Sequence, residues 1–146
     1  MHDLFSLHKY FIYQNTIRLE LERYFKKQKL SNSEEKYRDS YIQIYLDLWY
    51  WTFYVLIEWY QELNIQDIKI NKLLESFDLK LLKRYRNWVF HFQKDWYDDR
   101  FEKLHQSDEF VLWSENLLKE FRRYFLEQIK LWKVIAPKLP KQQKDI

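Results

Sequence analysis

Apolar residues return along this chain at helical spacing, and the pattern predicts helices throughout. From His2 to Leu30, residues Leu4, Leu7, Phe11, Gln14, Arg18, Leu21 and Phe25 share one face, which predicts a long first helix. Its apolar stripe is imperfect, because Gln14 and Arg18 interrupt it. Ser31-Asn32-Ser33 followed by Glu34-Glu35-Lys36 is a start signal: Ser33 is the expected cap, and acids fill the first turn. A second helix is expected from about Glu34 to Leu63. Its middle is apolar on nearly every side, as at the centre of a bundle. The most apolar run, Leu48 to Ile57, is too short to span a bilayer and is bracketed by Asp47 and Glu58.

A short helix or turn is expected near Ile65 to Ser76. Asp78 is the expected cap of a third long helix, Leu79 to about Phe92. Gln93 to Arg100 reads as irregular. Asp108 to Trp132 is the last helix, with Phe110, Trp113, Leu117, Phe121, Tyr124 and Phe125 at helical spacing. From Pro137 the chain carries Lys138, Lys141 and Lys144 and reads as a frayed basic tail. The expectation is an all-α fold: a single up-and-down bundle of about four to five helices over 1–136, then a tail over 137–146. No internal repeat or linker divides it.

Composition narrows the class. With 146 residues and 47% apolar content, the chain fits one domain with one sizeable core. Its 11 Phe, 12 Tyr and 7 Trp give large buried area per residue, so the polar ends of Tyr and Trp need partners. Glycine is absent and only Pro137 and Pro140 occur, which argues against a turn-rich all-β protein and a glycine-rich phosphate loop. Without cysteine there is no disulfide framework, thiolate nucleophile or cysteine zinc site. The N-terminus has no basic segment followed by an apolar one, so no signal peptide is expected. A cytoplasmic location without membrane contact follows as an expectation. The net charge of +3 permits an anionic partner without demanding one.

The compact chemistry lies in Arg86-Asn87-Trp88-Val89-Phe90-His91. On a wheel of about 100° per residue, Leu81, Leu82, Tyr85, Trp88, Val89 and Phe92 form the core face of the third long helix. Lys80, Lys83, Arg84, Asn87 and His91 share another arc, with Arg86 at its edge. Those cations would attract an anion and would lower the pKa of His91. A polar helix face of this kind is most often plain solvated surface, so the wheel alone does not make a site. His2, His8 and His105 stand without ligands at metal-binding spacing. Asp95, Asp98, Asp99 and Glu102 fit no calcium loop and read as turn and helix-start chemistry. No metal or cofactor is expected.

The run Arg86-Asn87-x-x-x-His91 resembles the signature of the HEPN superfamily: an arginine, a polar residue, then a histidine. The flanking segments Trp49-Tyr50, Val55-Leu56-Ile57-Glu58, Trp59-Tyr60-Gln61-Glu62-Leu63 and Phe90 to Phe101 strengthen the likeness. It covers roughly half the chain closely and the rest in helix order. The resemblance implies a small helical bundle and metal-independent endoribonuclease activity, of the sort found in toxin–antitoxin and phage-defence systems. It implies that Arg86 contacts the scissile phosphate, Asn87 helps position it and His91 transfers protons. It also implies a homodimer with two motifs facing one cleft and, for some members, an antitoxin partner that modifies a tyrosine near the motif, here Tyr85 or Tyr97. Lys80, Lys83, Arg84, Lys94 and Arg100 are the candidate RNA-phosphate contacts. Trp96 and Tyr97 are candidates for stacking a base, although packing of the loop is the simpler role. The competing expectation is a non-catalytic helical interaction module. A third is a small-ligand bundle, for which no phosphate cradle is recognisable.

Overall fold

The computed structural model describes residues 2–28, 35–90 and 107–135. Among these the chain is all-α: α1 (His2–Gln28), α2 (Glu35–Glu62), α3 (Ile68–Leu74), α4 (Phe77–Phe90) and α5 (Asp108–Ile135). The expected caps at Ser33 and the tail over 137–146 lie outside the described residues, as does the segment 93–100.

Ring contacts fix the directions of the rods. Tyr50 meets Phe110 (centroids 5.5 Å apart), Phe53 meets Trp113 (5.8 Å) and Tyr60 meets Phe121 (5.4 Å), so α2 and α5 run parallel. Tyr10 stacks on Trp59 at 6.1 Å, and His8 and Phe11 pack on Phe125 at 4.9 and 5.1 Å. The start of α1 therefore lies beside the ends of α2 and α5. The return path between α2 and α5 is shared by α3 and α4. Asp67 bonds Tyr60, Leu73 bonds the Trp113 that packs on Phe53, and Tyr85 bonds Asp47. Successive positions of α3 and α4 thus match earlier and earlier positions of α2. Among the described residues the up-and-down bundle has four rods, the third broken into two helices.

α2 sits at the centre, as its all-round apolar pattern predicts. None of the residues from Trp49 to Tyr60 is exposed, and Phe53, Leu56 and Ile57 are fully buried. Each such side chain contributes roughly 1.5–3 kcal/mol through burial. α5 buries Phe110, Trp113, Leu117, Phe121 and Phe125, with Tyr124 packed at the margin. α1 buries Leu7, Gln14 and Leu21, spaced seven apart, whereas Phe25 at the end of the expected stripe is 45% exposed. Neither polar atom of the Gln14 amide has a hydrogen-bond partner among the described residues.

The breaks between helices have local causes. Asn64 adopts φ 50°, a left-handed value that asparagine tolerates better than most residues. Its N–H bonds the Gln61 carbonyl at 3.0 Å, and Ile65 N–H reaches the Tyr60 carbonyl at 3.5 Å, closing α2 in a chain that has no glycine for the purpose. Asp67 then caps α3, accepting from the N–H groups of Lys69 and Ile70 at 3.0 and 3.1 Å. Arg123 of α5 donates to both Asp67 oxygens at 2.7 Å, pinning the start of α3 to α5. Burial pushes the Asp67 pKa up, but the Arg123 bonds and the capping N–H groups outweigh it and hold the carboxyl below its ordinary value.

Candidate active site

The start of α4 differs from expectation by two residues. The Ser76 hydroxyl accepts from Asp78 N–H at 3.2 Å and donates to the Asp78 carboxylate at 2.5 Å. Ser76 is therefore the capping group, and Asp78 lies in the first turn, where a negative charge suits the helix dipole. The capping hydroxyl meets the N–H two residues ahead, so the helix admits Phe77.

Among the described residues the two expected arcs of α4 are present, with His91 and Phe92 lying outside those residues. Leu82 and Tyr85 are buried, and Leu81, Trp88 and Val89 are half-buried. Lys80, Lys83, Arg84 and Asn87 are exposed, and Arg86 is intermediate between the two faces. The candidate phosphate contacts on α4 thus share one solvent-facing side. His91, Lys94 and Arg100 lie outside the described residues, as do Trp96, Tyr97 and His105.

Arg86 is held from α2 and from its own neighbour. Its guanidinium carbon stands 5.0 Å from the Tyr54 ring centroid, a cation–π arrangement. Nη1 donates to Asn87 Oδ1 at 3.0 Å, and Nη2 lies 3.6 Å from Glu58 Oε2. Tyr54 and Glu58 are four apart on α2, so they stack on adjacent turns of one helix face. Burial, and after it the Glu58 charge, raises the Tyr54 pKa, while Arg86 lowers it. The hydroxyl is thus a neutral group at ordinary pH. The Arg86 side chain keeps 32% of its surface accessible, and its neighbours fix the direction of its planar donor fork. Such a group can bind two oxygens of a phosphate or carboxylate.

Tyr85 points the other way, into the core. It is fully buried, its ring meets Tyr50 at 5.0 Å, and its hydroxyl donates to Asp47. Gln43 Nε2 donates to Asp47 Oδ1 at 2.8 Å and to the Tyr85 hydroxyl at 3.0 Å. Burial raises the Asp47 pKa against the lowering effect of these bonds. Burial, reinforced by Asp47, also pushes the Tyr85 hydroxyl far above its ordinary value. A buried and bonded hydroxyl is out of reach of a modifying enzyme, which removes Tyr85 from the two candidate tyrosines for that role.

Other candidates are quiet. His8 is packed between Phe11 and Phe125. Among the described residues no group of three or more His, Asp or Glu side chains could hold a metal ion. No described helix is long and apolar enough to cross a membrane. A cleft of about 300 Å³ opens beside the α2–α3 turn, lined in part by Tyr60, Asn64, Gln66, Asn71 and Glu75. Its amides serve the turn itself: Asn71 Nδ2 donates to Gln66 at 3.1 Å, and Tyr60 donates to Asn71 at 2.7 Å. Among the described residues that line it, the one charge is the Glu75 carboxylate, which does not suit an anionic ligand.

Sequence reasoning missed Tyr54 and Glu58 as neighbours of Arg86. The available signal was their spacing of four on a helix expected to be central, with Glu58 a charge at the edge of an apolar run. Comparison of the chain with protein-family models, with curated proteins and with solved structures gives no match, so fold and site rest on the chain's own residues.

Proposed function

We propose that the chain is a metal-independent endoribonuclease of the HEPN type, acting in the cytoplasm as a homodimer. The observation that carries this reading is the Arg86 fork, braced by Tyr54 and Asn87 on a helix that also exposes Lys80, Lys83 and Arg84. The resemblance of Arg86-Asn87-x-x-x-His91 to the family motif supplies the reaction.

In that reaction one imidazole of His91 takes the proton from an RNA 2′-hydroxyl. The oxygen attacks phosphorus, and the bond from phosphorus to the 5′-oxygen breaks. A second His91, from the other subunit, returns a proton to the departing 5′-oxygen. Arg86 holds the non-bridging oxygens, where negative charge accumulates, and Asn87 orients the fork. The product ends are a 2′,3′-cyclic phosphate and a 5′-hydroxyl. Lys80, Lys83, Arg84, Lys94 and Arg100 align the strand through its phosphates. A toxin restrained by an antitoxin protein, or a phage-defence nuclease, is the setting that fits this activity.

The test is incubation of the full chain with RNA in EDTA. Cleavage to 2′,3′-cyclic phosphate ends is expected, abolished by His91→Ala and by Arg86→Ala, with DNA left intact. A requirement for added divalent metal, or full activity in His91→Ala, overturns the reading. One observation favours the second reading, a non-catalytic interaction module: Arg86 already has partners in Glu58 and Tyr54, as a pin between α2 and α4 would. On that reading Arg86→Ala lowers stability and no RNA is cut by any variant.

A further inference from the structure

We infer that Glu58 is an internal anion that occupies Arg86 in the free protein and is displaced when a nucleic-acid phosphate binds. This rests on the reading of Arg86 as a phosphate contact and adds a control on that contact.

Three features of the contact carry the inference. First, the Arg86–Glu58 pair is loose: 3.6 Å separates Nη2 from Oε2, longer than a hydrogen bond, and the two side chains keep 32% and 38% of their surface accessible. A pair so open to water contributes little to stability, so it is a poor structural pin and is readily exchanged. Second, the other two contacts of the guanidinium do not compete with an anion. Tyr54 covers one face of it and Asn87 takes one Nη1 proton at 3.0 Å. When Glu58 withdraws, these two keep Arg86 pointed the same way, so the anion meets a fixed fork. Third, Glu58 is an acid paired with a helix whose exposed side is basic. Lys80, Lys83 and Arg84 of α4 are exposed with Arg86, and the described acid of α4, Asp78, lies in its first turn. An arriving phosphate therefore meets an attractive helix and, at the arginine itself, one carboxylate that must yield.

The competition sets a sign that a positioning role would reverse. Removing the rival carboxylate should tighten binding, whereas removing a support for Arg86 should weaken it. The probe is a fully 2′-O-methylated single-stranded RNA oligonucleotide, which binds but has no free 2′-hydroxyl for cleavage. Glu58→Gln is expected to bind it about two- to fivefold more tightly than the native chain at low salt, the range of an exposed ion pair. Glu62→Gln makes the same charge change at an exposed position one turn along α2 and is expected to gain less. Glu58→Asp keeps the net charge but withdraws the carboxylate by one methylene, and it too should gain. In an Arg86→Gln background, Glu58→Gln should bring no more than Glu62→Gln does. Urea midpoints near the native value show that the variants are folded, and Glu58→Asp serves if Glu58→Gln is not. Weaker binding by Glu58→Gln, a gain equal to that of Glu62→Gln, a gain that survives in Arg86→Gln, or no binding by the native chain overturns the inference. The two proposals fail separately. Coupling between Glu58 and Arg86 without cleavage of ordinary RNA sinks the nuclease and leaves the competition, and Arg86-dependent cleavage without coupling does the reverse.

Discussion

The Tyr85 hydroxyl of α4 donates to the Asp47 carboxylate of α2, and Arg86, the next residue, pairs with Glu58 on the same helix. The two acids that bracket the apolar run of α2 thus receive consecutive residues of α4. Tyr85 anchors the helix from inside, while Tyr54 and Glu58 of α2 hold the Arg86 fork at its edge. Tyr85→Phe keeps the buried ring but strips Asp47 of a donor. It is expected to lower the unfolding free energy by about 1–3 kcal/mol, read from urea titration. An unchanged midpoint would mean that the hydroxyl anchors nothing.

Asp47 should also make stability depend on pH. Burial raises its pKa in the folded chain, so folding favours the protonated acid. That contribution is complete below the unfolded-state pKa and is lost as pH rises through the folded value. Asp47→Asn does not titrate and should gain on the native chain from acid toward neutral pH. Urea midpoints measured across that range check it, and parallel pH profiles for the two proteins would contradict it.

Asp67 has the opposite sign. Its pKa is held down by Arg123 and by the capped N–H groups against the effect of burial. Its contribution is present above the unfolded-state pKa and is lost as pH falls through the lower folded value. Arg123→Met is expected to cost about 1.5–3 kcal/mol at neutral pH, because both carboxylate oxygens lose a charged donor. The difference from the native chain should shrink in acid, as followed by thermal melting at several pH values.

Gln14 is a buried amide whose polar atoms have no hydrogen-bond partner among the described residues. Gln14→Leu removes that penalty and keeps nearly the same volume. It is expected to stabilise the bundle by about 1–3 kcal/mol. A lowered melting temperature would show instead that the amide is bonded in solution.

On the ribonuclease reading, Lys83 and Arg84 touch phosphates and no bases. Lys83→Gln and Arg84→Gln should then weaken RNA binding to a similar degree on all sequences. Each should also flatten the slope of log affinity against log salt by about 0.7 for a lost single-strand contact. Unequal losses on different sequences would indicate base contacts.

The helical period alone fixed much of this protein. The rods α1, α2 and α5, the burial of Phe110, Trp113, Leu117 and Phe121, and the two faces of α4 follow from spacing, because a helix converts sequence distance into angle. Caps were less legible. Spacing points to Asp78 as the cap of α4, whereas the Ser76 hydroxyl accepts from the N–H of Asp78 and opens the helix two residues earlier. Three relationships were decided only by tertiary structure: Tyr85 with Asp47, Arg86 with Tyr54 and Glu58, and Arg123 with Asp67. These pairs lie far apart in sequence, and only the packing of separate rods brings them within reach. A wheel drawn for one helix places Arg86 at the edge of the core, but the α2 neighbours that aim it exist only once the two helices are packed.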